Sequence, residues 1–171
     1  MTQTADIPTT LFGDLDIELA NTRRVLERVP AGKLDYRPHE KSFSLGELAT
    51  HVANLPNWMM GIAAEDEFDL SASPPDRTVP DTPAAIVQGF DDAVTRMRAA
   101  VAAAPDEAWS APWTLRMGDH VIFTLPRAAV FRNAGISHLI HHRAQLGVYL
   151  RLLDVPVPGM YGPSADEQSV Q

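Results

Sequence analysis

The segment Ser137-His138-Leu139-Ile140-His141-His142-Arg143-Ala144-Gln145-Leu146 holds three of the chain's six histidines and lies inside a long apolar-periodic run ending near Leu153. At 3.6 residues per turn, His138 and His142 sit at i and i+4, so their imidazoles leave one helix face a turn apart. Leu146, Tyr149 and Leu153 continue that side, which points both rings toward a core. Two inward neutral imidazoles are a pair of metal ligands in want of a third. A helical histidine pair is also met as ordinary half-buried residues bonded to carbonyls, so the pair alone leaves both readings open. Residue 139 is leucine, so the zinc-protease pattern, with glutamate after the first histidine, is absent.

Upstream of this helix the pattern changes. Trp113-Thr114-Leu115-Arg116-Met117 and His120-Val121-Ile122-Phe123-Thr124 flank Gly118-Asp119, a two-residue turn that closes a small β-hairpin. Pro126 then precedes the last and longest helix. Downstream, the 155–163 stretch is too rich in proline and glycine to be helical and too apolar to be a free tail, so it is expected to pack back over the body.

Three further helices are legible. The first runs from about Thr9 to Val29, with Leu11, Leu15, Leu19, Thr22, Leu26 and Val29 on one face and Asp14, Asp16 and Glu18 elsewhere; Pro30 and Gly32 stop it. A connector from Leu34 to Lys41 carries His39, read as a solvated loop residue. The second helix begins at Ser44, with Glu47 completing a capping box. Leu45, Leu48, Val52, Leu55, Met59 and Ile62 form its core stripe, and Glu47, His51, Asn54 and Trp58 run beside it. His51 is thereby placed at the edge of the buried face. Pro56 is expected to interrupt and kink this helix. Residues 65–81, acidic and then proline-rich, read as a mobile connection or a lid over a pocket. Thr82-Pro83 opens the third helix, whose buried face is Ile86, Phe90, Val94, Met97 and Val101.

Four helices, short connections and one inserted hairpin predict an all-α, single-domain four-helix bundle over residues 1–171, a common setting for metal sites. There His51 from helix two can meet His138 and His142. Three imidazoles without a carboxylate leave coordination positions open, the catalytic rather than the closed structural pattern. Composition narrows the alternatives. The chain has 171 residues, 45% hydrophobic, and no cysteine, which excludes disulfides, cysteine zinc fingers and a nucleophilic thiol of its own. A formal charge of −8 argues against nucleic acid, and no apolar run nears the roughly 20 residues of a membrane span. An N-terminus without basic or apolar signal-peptide character makes a cytoplasmic protein the simplest expectation.

These residues resemble the DinB/YfiT-like superfamily over nearly the whole chain. The similarity runs from Leu34-Asp35-Tyr36-Arg37-Pro38-His39 through Ser44-Leu45-Gly46-Glu47-Leu48 and His51 to His138 with His142-Arg143-Ala144-Gln145. The ending Tyr161-Gly162-Pro163-Ser164-Ala165-Asp166-Glu167 is similar to one branch of that family. Glycine is the family expectation at position 144, so Ala144 is a departure, two residues past a ligand. The resemblance implies a four-helix bundle binding a divalent metal through His51, His138 and His142, with zinc, nickel and iron all compatible with the donors. Better-characterised relatives include thiol-dependent transferases and isomerases acting with bacillithiol, mycothiol or glutathione, most members have no established reaction, and the resemblance also suggests a homodimer.

The expected function is therefore a metal-dependent enzyme acting on a small molecule, foremost a low-molecular-weight-thiol S-transferase. The alternatives are a metal-dependent hydrolase, or a non-catalytic metal- or small-molecule-binding stress protein. A pure interaction module would leave the inward histidines unexplained. The metal would act as a Lewis acid on a thiol or water supplied from outside. Glu47, one turn before His51, is the candidate general base, against its simpler role in the capping box. Gln145 or Tyr161 is placed to orient a ligand, or only to pack. Arg143 reads as structural or surface, His141 as the reserve ligand, and His120 as exposed.

Overall fold

The structure, a computed structural model, describes residues 11–72 and 78–167. It is mostly helical, with a small three-stranded sheet on one side. Helix α1 spans Leu15–Leu26, and its buried positions include Leu15, Leu19, Thr22 and Leu26, as its periodicity predicts. Residues 1–10 lie outside the described part, but residues 12–14 are not helical, so the helix begins at Leu15, later than the expected start near Thr9, and ends at Leu26, short of Val29. Two assignments on this helix are corrected. Leu11 is 45% exposed, whereas Glu18 is buried because it meets Arg143 across the core.

Helix α2, Leu45–Ala64, starts as expected. The Ser44 hydroxyl accepts from the Glu47 backbone N–H, and the Glu47 carboxylate accepts from the Ser44 N–H. All six stripe residues from Leu45 to Ile62 are at most 3% exposed. Pro56 does not interrupt the helix, which continues to Ala64; one missing bond to Val52 is tolerated because packing holds both sides. Helix α3, Pro83–Ala103, is capped by Thr82 with proline in its first turn. It buries Ile86, Phe90 and Met97, while Val94 and Val101 are half-buried against the same core.

The 65–81 region is not a structureless connection. Its strand β1, Glu67–Asp69, pairs in parallel with β2, Pro112–Met117, which pairs antiparallel with β3, His120–Pro126. The hairpin stands as predicted, with Gly118 at φ +58 in the turn. The fold is thus helical with a small mixed sheet rather than all-α. The Asp69 carboxylate accepts from the N–H groups of Gly118 and Ser71, which ties β1 to the hairpin turn. Phe68 packs edge-on against Trp58 of α2. Residues 73–77 lie outside the described part, as does that portion of the expected lid.

The last helical run begins at α4, Arg127–Val130, continues through a π-helical segment, Phe131–Ser137, and ends in α5, His138–Leu152. The backbone stays right-handed helical at both junctions. Arg127 anchors the start. Its buried guanidinium donates to the carbonyls of Ile62, Ala63 and Glu65, groups that the end of α2 leaves without helical partners. α2 packs along α3 and against the π segment and α5, and α1 lies on α5 and α3. The tail packs back: Met160 O accepts from Asn21, Gly159 O from Arg24, and the Tyr161 hydroxyl contacts Glu18. No described helix is long and apolar enough to cross a membrane.

Candidate metal centre

α2 supplies His51 and α5 supplies His138 and His142. The Nε2 atoms of His51 and His138 lie 3.4 Å apart, and those of His142 and His138 lie 2.9 Å apart. One ring nitrogen from each lies within 4.8 Å of the other two, and among the described residues these form the one group placed closely enough to hold a metal ion. Four ligands at roughly 2.0–2.1 Å around a tetrahedral ion stand about 3.3 Å apart, so the spacing suits such an ion with little movement.

The outer nitrogens explain how the rings are aimed. His142 Nδ1 lies 2.8 Å from Gln145 Oε1, and His138 Nδ1 lies 3.3 Å from the Ala134 carbonyl. A carbonyl oxygen only accepts, so both contacts favour the tautomer with Nδ1 protonated and the Nε2 lone pair toward the interior. Burial pushes the His51 imidazolium down to about pKa 4, reinforced by His142 and His138. Burial also lowers His138 and His142, opposed by their bonds to Ala134 and Gln145. All three rings are therefore neutral near pH 7, the form that binds metals. The donor set fits a divalent ion.

Local structure sets these positions. The π segment places the Ala134 carbonyl where it also accepts from the Trp58 indole N–H at 2.9 Å, pinning α2 to the base of α5. Gly135 permits this approach, since a Cβ there would stand 2.7 Å from Met59 Cγ. The periodicity carried no sign of the π segment, whereas the His142–Gln145 spacing of three was readable.

The remaining candidates divide clearly. Glu47 lies in its capping box, and its carboxylate also takes a 2.9 Å ion pair from Arg37; the Ser44 N–H, then Arg37, hold it below its ordinary pKa. His141 is exposed and contributes no nitrogen to the cluster, its ring lying edge-on to His142. His120 is exposed, and His39 is an exposed loop residue whose Nδ1 accepts from the Lys41 N–H. Arg143 is structural. It is buried, ion-paired to Glu18 at 2.6 Å and bonded to the Tyr161 hydroxyl. Sequence reasoning passed over Phe43, whose ring stands 5.9 Å from that of His51.

The fold has counterparts among solved structures. No curated protein matches the chain. Among solved structures, it resembles a DinB-like protein from Bacillus cereus, with TM-score 0.68 and 21% identity over 88% of this chain and 95% of that one. A DinB-like protein from Bacillus subtilis gives TM-score 0.67 and 17% identity over 86% and 95%. A protein assigned to the DinB family from Exiguobacterium sibiricum gives 0.64 and 23% over 89% and 95%. At these identities the structures speak for the fold alone. The sequence carries the rest: the model of the DinB superfamily matches residues 14–146, from the start of α1 through all three histidines. The chain belongs to the DinB superfamily.

Proposed function

We propose that this protein is a divalent-metal-dependent enzyme that joins a low-molecular-weight thiol to an electrophilic small molecule. One observation carries the metal: the Nε2 atoms of His142 and His138 lie 2.9 Å apart, with a carbonyl oxygen facing the outer nitrogen of each ring. With Nδ1 protonated on both rings the Nε2 lone pairs face one another, an arrangement that a cation between them stabilises. His51, His138 and His142 would hold the ion, with zinc, nickel and iron all suited to imidazole donors. Bound there, a divalent metal supplies positive charge and Lewis acidity that favour the deprotonated form of a thiol or of water.

The chain's own residues do the rest. Gln145 and the Ala134 carbonyl hold His142 and His138 in their metal-binding tautomers. No cysteine is present, so the sulfur comes from outside. In the transfer a C–S bond forms, the electrophile's leaving group departs with the bonding pair, and the thiol proton passes to a base. Glu47 is the proposed base, although its capping bonds compete for the same carboxylate. The four-helix bundle, a cytoplasmic location and a homodimer complete the reading. Exposed Leu152 on α5 supports the dimer, which light scattering should show at twice 18.7 kDa.

The test is a panel of electrophiles assayed with bacillithiol, mycothiol, glutathione and no thiol, using metal-loaded and metal-stripped protein. Turnover that needs both metal and a thiol is expected. Turnover without any thiol would make the protein a hydrolase, and none at full metal occupancy would make it a binding protein.

A further inference from the structure

Beside the three histidines the fold leaves a groove of about 430 Å³, lined by Lys41, Phe43, Leu48, His142, Val148 and Tyr149 among others. His142 and its partner Gln145 also line the groove, so the groove and the histidine cluster share the His142 ring. Its apolar side faces solvent beside His142, with Phe43 38% exposed and Val148 58% exposed. Tyr149 fixes this wall, since its hydroxyl donates to the Phe43 carbonyl at 3.2 Å.

The opposite character is concentrated in one residue. Lys41 is the one lining side chain with a full charge, and no carboxylate lines the groove. Among the described residues Lys41 forms no ion pair, although the chain as a whole carries a formal −8. Arg37, the nearest arginine in sequence, is already occupied by Glu47 and by the Ser42 carbonyl. The Lys41 backbone is held in place, its N–H donating to His39 Nδ1. An unpaired ammonium beside an uncovered apolar wall is complementary to an organic anion.

We propose that this groove is the substrate site of the metal centre and takes a small carboxylate with an apolar body, Lys41 selecting the anionic end. The inference rests on the metal-dependent reading only for what happens to that molecule next. Lys41 is thus a specificity-determining residue and not a metal ligand.

Two probes of equal shape test it, 3-phenylpropanoate and its neutral amide, titrated by calorimetry into full-length protein as isolated and again after chelation. The acid should bind about fivefold tighter than the amide, the effect of one partly exposed ion pair. Lys41→Gln should abolish that preference and Lys41→Arg should keep it. Equal binding of acid and amide, saturable binding of neither, or a preference that survives Lys41→Gln would overturn the proposal. So would a preference lost in Lys41→Arg, which would implicate the loop, or one lost on chelation, which would place the carboxylate on the metal. Metal content measured on the same samples judges the metal-dependent reading separately, since Lys41-dependent binding in metal-free protein would leave this inference standing.

Discussion

His142 Nδ1 lies 2.8 Å from Gln145 Oε1, so the amide three residues ahead on the same helix decides which nitrogen of His142 faces the interior. His138 is set in the same way by the Ala134 carbonyl, which is also held by Trp58. The cluster is therefore more than three inward histidines, because the partners of both α5 rings favour the tautomer that leaves Nε2 unprotonated.

Purified protein should carry about one divalent metal per chain, as one three-histidine site implies. His51→Ala, His138→Ala and His142→Ala should each abolish it, and His141→Ala should not, because His141 lies outside the cluster. Mass spectrometry of metal content after dialysis is the check. Wild-type occupancy in the His142→Ala protein would sink the assignment.

Gln145→Leu should weaken metal affinity by about 10- to 100-fold while leaving the fold intact, since the side chain is exposed and its bond is to His142. Competition against a chelator of known affinity measures this. Glu47→Gln should leave metal affinity near wild type but cost about 1 kcal/mol of stability through the weakened cap and lost Arg37 pair. Loss of turnover in Glu47→Gln without loss of metal would identify Glu47 as the base.

Metal-free protein should lose stability as pH falls from about 6.5 toward 4. The His51 pKa is about 4 when folded, against an ordinary 6.5, and His138 and His142 are lowered as well. Between those values the unfolded chain binds more protons than the folded one, so the contribution is intact above the unfolded pKa and is lost on descent. Asp69 and Asp166, held at about 2, act only below the ordinary carboxylate range near 4 and so fall outside this window. Chemical denaturation across pH is the measurement. A His51→Ala profile as steep as the wild type would contradict the account.

Arg143→Met should destabilise the protein by about 3 kcal/mol, because it leaves the buried Glu18 carboxylate without its partner. Double substitution with Glu18→Leu should restore part of that loss. Urea denaturation of the wild type, the two single variants and the double variant gives the coupling directly, and additive effects would show that the pair is not one unit.

Much of the fold was legible in the chain itself. The Ser44–Glu47 box, the stripe from Leu45 to Ile62, Thr82-Pro83 and the Gly118 turn all act within a few residues, through capping, helical periodicity and backbone freedom. The i, i+4 spacing of His138 and His142 is equally local, and it makes the candidate site readable in the sequence. What the tertiary structure decided are pairings between distant residues that leave no local trace. Three residues, Glu67–Asp69, are too few to show a period, and they became a strand only because β2 offered a parallel edge. Glu18 looked like a solvated carboxylate until Arg143 and Tyr161 closed over it. The π segment answers to contacts from Trp58 and Met59 on another helix, which no pattern within 131–137 encodes. His51 could be placed at the edge of its helix by sequence, but only the packing of α2 on α5 brought its nitrogen to 3.4 Å from His138.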